Sequence, residues 1–357
     1  MVMTATGIEL PPIWCPLAGA RHPRVEEIER RAAAWLDRQR VYRDESERRM
    51  VLGTRGADFC ARFTPYADEE GVLLAALWVY WACCFDDACC GHGPLSAAPE
   101  RFARLAGQVQ RALEAPTADS SAERFLPPLQ DFARRMRRMR SPVQAARFAH
   151  AHRAWLSGVV WQIGNRAESH MPDLDEYLAM RRLAARGEPV FALLEIATGT
   201  ETPDREFHRP AVRALTEMAM TVATLDNDRH SLHREPAAGH SGQNIYTVLM
   251  RDRNLAPADA VQEATRVRDR ILARFLRLLP TVLAGAGPEL RIYLAGLCHG
   301  VRGNAEWGLR VPRRPAETPP PPGAAEEPLE WAPSPADDDR TPLPAPSVAW
   351  WWDRALE

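Results

Sequence analysis

Lysine is missing altogether: every one of the 45 basic residues among 357 is an arginine, set against 47 acidic ones. The formal net charge of −2 leaves no global basic field, so binding to nucleic acid or to an anionic membrane surface is not expected. Arginine is a permanently charged, planar fork suited to phosphate, so a few focused ones can matter more than the overall balance. The densest basic run, Arg134, Arg135, Arg137, Arg138 and Arg140, reads as a solvated helix face. Long apolar runs are also lacking. The best, Gly71–Cys84, spans 14 residues, short of the roughly 20 that cross hydrocarbon as a helix, and stable membrane insertion is not expected. The N-terminus has no basic, apolar and small-residue order of a signal peptide, since Pro11, Pro12 and Cys15 arrive at once; a cytoplasmic location is expected. Seven cysteines, with Cys83-Cys84 and Cys89-Cys90 adjacent, do not form a disulfide framework and read as small buried hydrophobes. Strand signals are almost absent, with no alternating β-branched run between hairpin turns.

What is present is helical periodicity. From Arg24 onward Val25, Ile28, Ala32, Trp35 and Leu36 recur at three- and four-residue steps. Similar patterns predict helices over Asp68–Cys90, 122–141, 142–168 (after the start signal Ser141-Pro142), Asp173–Arg186, Pro189–Ile196, Pro210–Arg234, Gln243–Met250, Pro257–Leu278 and Gly287–Leu309. They imply one all-α domain over residues 21–314, preceded by an irregular arm over 1–20. After Arg314 the composition changes. Pro315, Pro319 to Pro322, Pro328, Pro333, Pro335 and further prolines cannot continue helices, and Glu326, Glu327, Glu330 and Asp337 to Asp339 add repulsion. The tail, 315–357, is expected to be extended or disordered. It ends in Val348-Ala349-Trp350-Trp351-Trp352, which either docks back on the domain, binds a partner or is incidental.

Two polar clusters interrupt the apolar pattern. In the first, Asp86 and Asp87 end the aromatic-rich run Trp81-Ala82-Cys83-Cys84-Phe85, where unpaired carboxylates are costly to bury. Either the pair caps the following turn, or the helix end opens onto a cavity where Asp86 ligates a hard, oxygen-seeking cation such as Mg²⁺. In the second, Asn227, Ser231 and Glu235 stand at i, i+4 and i+8, on one helix face within about 80°. An amide oxygen, a hydroxyl and a carboxylate suit one Mg²⁺, although a polar surface can yield the same triplet. Upstream that face continues as Met218, Thr221 or Val222, and Leu225, so the oxygens end an apolar stripe as they would at a pocket mouth. His230 and His233 have no third soft ligand nearby and read as core, surface or phosphate-contacting residues.

With these residues the chain resembles the bacterial class I terpene synthases over nearly the whole helical domain. Asp86-Asp87-Ala88-Cys89-Cys90 is similar to the family's aspartate-rich motif, and Asn227-Asp228-x-x-Ser231-x-x-x-Glu235 to its Asn-Ser-Glu triad, with Arg234 where a basic residue usually precedes the glutamate. Tyr177-x-x-x-Arg181-Arg182 is similar to the stretch holding a diphosphate-sensing arginine, taken as Arg182. Ala185–Gly187 then corresponds to a helix break whose carbonyl assists ionisation. Arg302-Gly303-Asn304-x-x-Trp307 followed by Arg313 resembles the terminal segment. Two features depart from the pattern: Cys90 and Gly91 occupy the places of the third acid in the first motif, and Arg314 replaces a tyrosine.

The resemblance implies a class I terpenoid synthase fold: a single-domain helical bundle around a central apolar cavity, with a disordered Pro-rich tail. It also implies three Mg²⁺ ions and an isoprenyl diphosphate, farnesyl diphosphate being favoured, converted to a terpene hydrocarbon or alcohol with release of diphosphate. Asp86, Asp87, Asn227, Ser231 and Glu235 are the expected metal ligands, and Arg182, Arg234 and Arg313 the expected diphosphate partners. Asp86, Arg182 and Arg313 are the expected catalytic groups, with Trp78, Trp81, Phe85 and Trp307 in the cavity wall. A homodimer is compatible with this reading. The rivals are a chain-elongating prenyl diphosphate synthase, which ordinarily needs a second aspartate-rich motif, and an inactive helical binding or scaffold protein.

Overall fold

Helix boundaries follow local chemistry over most of the chain. Asp68, Ser141, Asp173 and Asn244 each accept a hydrogen bond from the backbone N–H three residues on, and Ser141 completes a reciprocal capping box with Gln144. Proline opens several helices at their first turn, where its missing N–H has no intrahelical partner to lose. The computed structural model describes residues 2–3, 9–91, 93–116, 124–232, 242–311 and 328–357. In chain order the helices are α1 (Val25–Gln39), α2 (Glu45–Gly53), α3 (Gly56–Phe63), α4 (Glu69–Asp86), α5 (Pro99–Glu114), α6 (Leu126–Met139), α7 (Pro142–Ala167) and α8 (Leu174–Ala184). They continue as α9 (Gly187–Thr198), α10 (Asp204–Phe207), α11 (Pro210–Ser231), α12 (Ile245–Asp252), α13 (Pro257–Ala284), α14 (Pro288–Arg310) and α15 (Pro346–Ala349). Among the described residues, strand is confined to Val2–Met3 paired with Glu9–Leu10 and an isolated bridge between Ile13 and Trp331.

The organising element is α4. It is apolar all round, and nearly every residue from Gly71 to Phe85 is buried, as expected of a helix at the centre of a bundle. By length and composition alone, Glu69–Cys90 could cross a membrane, a longer apolar helix than the sequence run suggested; 78% of its apolar window is buried inside the protein. One side of α4 faces α3, α9, α11 and α14, which enclose a cavity. The other side packs on α5, α6 and α7 through an aromatic core of Trp81, Phe85, Phe102, Phe125, Phe148 and Trp155. At Gly303 of α14 an added Cβ would lie 2.8 Å from the Arg62 Cβ and 2.9 Å from backbone of α3. Only glycine lets these two helices approach so closely.

The sequence reading omits α2, α3 and α5 and the single-turn helices α10 and α15, and the structure adds them. The eight residues of α3 are all buried, so it has no polar face to generate a periodic stripe. The arm and the tail, drawn on composition as appendages to 21–314, both contribute to the core. Leu10, Ile13 and Cys15 are buried, as are Leu343, Ala345, Val348, Trp351 and Trp352. Over 328–357 the tail is largely extended, as its prolines dictate, and it is seated on the bundle: the Ala332 N–H donates to the Ile13 carbonyl at 2.9 Å.

Candidate active site

Two helix ends and one helix break meet at the mouth of the cavity. Asp86 is the last residue of α4, about a third exposed, with Oδ2 3.6 Å from the Arg186 guanidinium. Beyond it the helix widens into a π-helical turn, Asp87–Gly91, in which Asp87 is exposed. Arg186 sits between α8 and α9 with φ of 66°, in the left-handed region. This breaks the helix, and the following Gly187 packs so near the Arg182 carbonyl that an added Cβ would lie 2.7 Å from it. Nη1 of Arg186 also donates to the Ala82 carbonyl at 3.3 Å, tying the break to α4.

Arg181 reaches the same place from α8. Its Nε donates to Asp228 Oδ1 at 2.9 Å and its Nη2 lies 2.8 Å from the same oxygen. Asp228 is fully buried, and it also accepts from the Tyr177 hydroxyl and from the Ile245 N–H at 3.0 Å. Burial works against the charge on Arg181, but Asp228 outweighs it and Asp86 adds to the effect, leaving the guanidinium above its ordinary pKa. Arg186 is treated the same way: burial opposes its charge, and Asp86 and Asp87 restore it. Two fixed cations therefore stand between the aspartate-rich end of α4 and the polar end of α11.

On α11, Asn227 lines the cavity, and Ser231 follows one turn on with its hydroxyl donating to the Asp228 carbonyl at 3.1 Å. Arg234, Glu235 and Arg313 lie outside the described residues. Among the described residues no three His, Cys, Asp or Glu side chains converge. A site of soft zinc ligands is therefore not formed there, whereas the Asp86 carboxylate beside Arg186 and the Asn227 amide in the cavity lining are hard oxygen donors of the kind Mg²⁺ takes.

The cavity behind this mouth is narrow in this structure, with room for the centre of a water-sized sphere over only about 60 Å³, well under the roughly 300–1,000 Å³ of small-molecule sites. Phe59, Phe63, Trp78, Val190, Phe191 and Trp307 supply most of its wall. The rings brace one another, Phe59 against Trp307 edge-on at 5.2 Å and Phe63 against Phe191 at 5.5 Å. Asn304 donates to the Ala223 carbonyl of α11 at 3.0 Å, and the Trp307 indole donates to the Thr54 carbonyl at 2.9 Å. Gly303, Asn304 and Trp307 thus each place α14: one permits close approach, one ties it to α11, and one fixes a wall ring.

Some expected site residues lie elsewhere. Trp78 and Trp307 line the cavity, but Trp81 and Phe85, which stack at 5.2 Å, do not, and the Trp81 indole donates to the Phe125 carbonyl at 2.8 Å. Trp81 and Phe85 each belong to the core between α4 and α5–α7. Trp78 bridges the two regions, its ring also packing on Phe148 and Trp155. Arg182, expected on the diphosphate, points away from the mouth: its Nη1 lies 2.6 Å from Glu188 and 3.5 Å from Glu217. Its neighbour Arg181 takes the position at the mouth, joined by Arg186, to which the sequence assigns a place in the helix break but no role. A sequence signal for Arg181 exists: Tyr177 and Arg181 are four apart, share a helix face, and both meet Asp228, the residue beside Asn227.

The chain is similar to known proteins along nearly its whole length. Residues 77–274 match the family described as terpene synthase family 2, C-terminal metal binding. The chain is 54% identical over 356 residues to a spiroviolene synthase of Streptomyces violens, covering 99% of each. It is 33% identical over 349 residues to a phomopsene synthase of Allokutzneria albata, covering 97% of each. Among solved structures, the SVS_A2 protein from ancestral sequence reconstruction is 59% identical with a TM-score of 0.89, over 98% of this chain and 100% of that one. A cucumene synthase variant, at 23% identity, shares the fold with a TM-score of 0.72 over 83% of this chain and 98% of its own.

Proposed function

This chain belongs to the class I terpene synthases, and on that footing we propose that it carries out Mg²⁺-dependent ionisation and cyclisation of an isoprenyl diphosphate, releasing diphosphate and a terpene hydrocarbon or alcohol. The observation that carries the reading is the meeting of Asp86, Arg181, Arg186 and Asn227 at the mouth of one apolar, aromatic-walled cavity. Asp86 with Asp87 in support, and the triad Asn227, Ser231 and Glu235, would hold the Mg²⁺ ions, which supply Lewis-acid and electrostatic stabilisation to the leaving group.

The allylic C–O bond breaks with its electron pair leaving on diphosphate, so negative charge grows at the mouth while positive charge is left in the cavity. Arg181 and Arg186 are fixed donors for that growing charge. They are held in place by Asp228, Tyr177 and the Ala82 carbonyl, so little reorganisation accompanies ionisation. In the cavity, Trp78, Phe59 and Trp307 offer aromatic faces, each worth about 0.5–2 kcal/mol to a nearby cation where water is excluded. Among the residues lining the wall no carboxylate or histidine stands as a base. The last proton then goes to released diphosphate, or water adds to give an alcohol.

The family resemblance favours farnesyl diphosphate. A twenty-carbon substrate is the second reading, supported by similarity over 98% of this chain to a protein named as a diterpene cyclase. Purified protein is to be incubated with Mg²⁺ and geranyl, farnesyl or geranylgeranyl diphosphate, with a chelator control, and the extracts analysed for terpenes. Cyclised product from one chain length, abolished by chelation, is expected. Elongation with added isopentenyl diphosphate would identify a prenyl diphosphate synthase instead, and no release of diphosphate from any substrate would refute the proposal.

A further inference from the structure

The C-terminal segment does more than cover apolar surface. Trp351 is fully buried, and its indole N–H donates to Glu217 Oε2 on α11 at 3.0 Å. Its carbonyl accepts from Arg274 of α13 at 2.8 Å. Four residues earlier, the Ser347 N–H donates to Asp175 Oδ1 at 2.8 Å and its hydroxyl to the Asp175 carbonyl at 3.2 Å, in the first turn of α8. The tail is thus pinned to α8, α11 and α13.

Those pins bear on the site through Glu217. Its Oε1 receives Arg213 at 2.6 Å and lies 3.5 Å from Arg182 Nη1, while its Oε2 takes the Trp351 indole. Arg182 and Arg181 are consecutive on α8. One side of α8 is joined to α11 through Arg181 and Asp228 at the cavity mouth, and the other through Arg182 and Glu217, whose second oxygen the tail completes. Further along, the Ala336 N–H donates to Asp269 Oδ2 at 2.9 Å. Asp269 pairs with Arg268 at 2.9 Å, and Arg268 grips Asp226, the residue before Asn227, at 2.9 and 3.1 Å. Both ends of the strap therefore act on the helix that carries Asn227 and Ser231.

We propose that residues 328–357 are a positioning strap for the diphosphate site, in which Trp351, by seating on Glu217, sets α8 against α11 and so places Arg181. A mere apolar cover would account for the burial of Leu343, Val348 and Trp352 but not for a directed indole N–H on a buried carboxylate. Removing that donor leaves a buried acceptor oxygen short of a partner, which loosens the carboxylate shared with Arg182. The inference rests on the diphosphate-binding reading above.

The test uses full-length protein and the variant Trp351→Phe, which keeps an aromatic ring in the site and deletes the N–H. Calorimetry with Mg²⁺ and inorganic diphosphate reads binding, hydrogen exchange reads the amides of Leu174–Ala184, and thermal unfolding reports integrity. Trp351→Phe is expected to fold, to weaken diphosphate binding by about three- to tenfold, and to speed exchange in α8. Combined with Arg182→Gln, its effect on binding should be less than additive, because both act through Glu217. A folded Trp351→Phe with parental diphosphate affinity and parental α8 exchange overturns the strap, as does strict additivity with Arg182→Gln. Parent protein that neither binds diphosphate nor turns over substrate would instead refute the functional reading, and faster α8 exchange in the variant would still uphold the strap.

Discussion

The sharpest consequence of the structure is that two neighbouring arginines should behave differently. Arg181 makes two contacts of 2.9 and 2.8 Å to one oxygen of a fully buried aspartate and stands beside the cavity mouth, while Arg182 is occupied by Glu188 and Glu217. Losing one preorganised donor to the growing charge costs about 100- to 1,000-fold in kcat, or roughly 2.7–4 kcal/mol. Arg181→Gln is expected to lie in that range. The fold should survive, because Asp228 keeps the Tyr177 hydroxyl and the Ile245 N–H as donors. Arg182→Gln leaves Glu217 with Arg213 and Trp351, so its loss should stay within about tenfold, near 1.4 kcal/mol. Diphosphate release under saturating Mg²⁺ measures both, with circular dichroism and melting curves excluding unfolding. A folded Arg181→Gln within tenfold of the parent, beside an Arg182→Gln that loses a hundredfold, would refute the assignment.

Other outcomes follow from the same geometry. Asn227→Ala should cut turnover at least about 100-fold with little change in melting temperature, since its amide faces the cavity rather than the core. Trp78→Leu should alter the product mixture, whereas Trp81→Leu should leave products unchanged and cost on the order of 3 kcal/mol in chemical denaturation, because only Trp78 touches the cavity. Burial raises the Glu29 carboxyl to about 6, with the Tyr80 hydroxyl donating to it. Its contribution to stability is therefore full below about pH 4.5 and lost as pH rises through 6. Glu29→Gln should then stabilise the protein by about 1–2 kcal/mol at pH 7 and by nothing measurable at pH 4, and equal gains at both pH values would contradict it.

Features settled within one helix or one turn were legible in the residues themselves. The capping residues Asp68, Ser141 and Asp173 start helices where expected, and Asn227 and Ser231 share a face because four residues make about one turn. The aspartate-rich end of α4 was likewise visible from the two carboxylates that stop an apolar run. α5 carries a clear stripe too, Phe102, Ala106, Val109 and Leu113, so its signal is present in the residues. By contrast, α3 is buried on every side and its periodicity is erased.

Only the packed structure decided between alternatives that are equal locally. Arg181 and Arg182 differ by about 100° around one helix, and what separates them is that Asp228 lies on one side of α8 and Glu217 on the other. Trp78 and Trp81 are equally apolar and both pack on α7, and α4 is apolar all round, so its own pattern cannot say that Trp78 also reaches the cavity while Trp81 does not. The tail is an extreme case. Its prolines and acids rule out a long helix and favour solvation, yet Trp351 finds a buried acceptor on a helix more than a hundred residues earlier in the chain, a partner that no local pattern encodes.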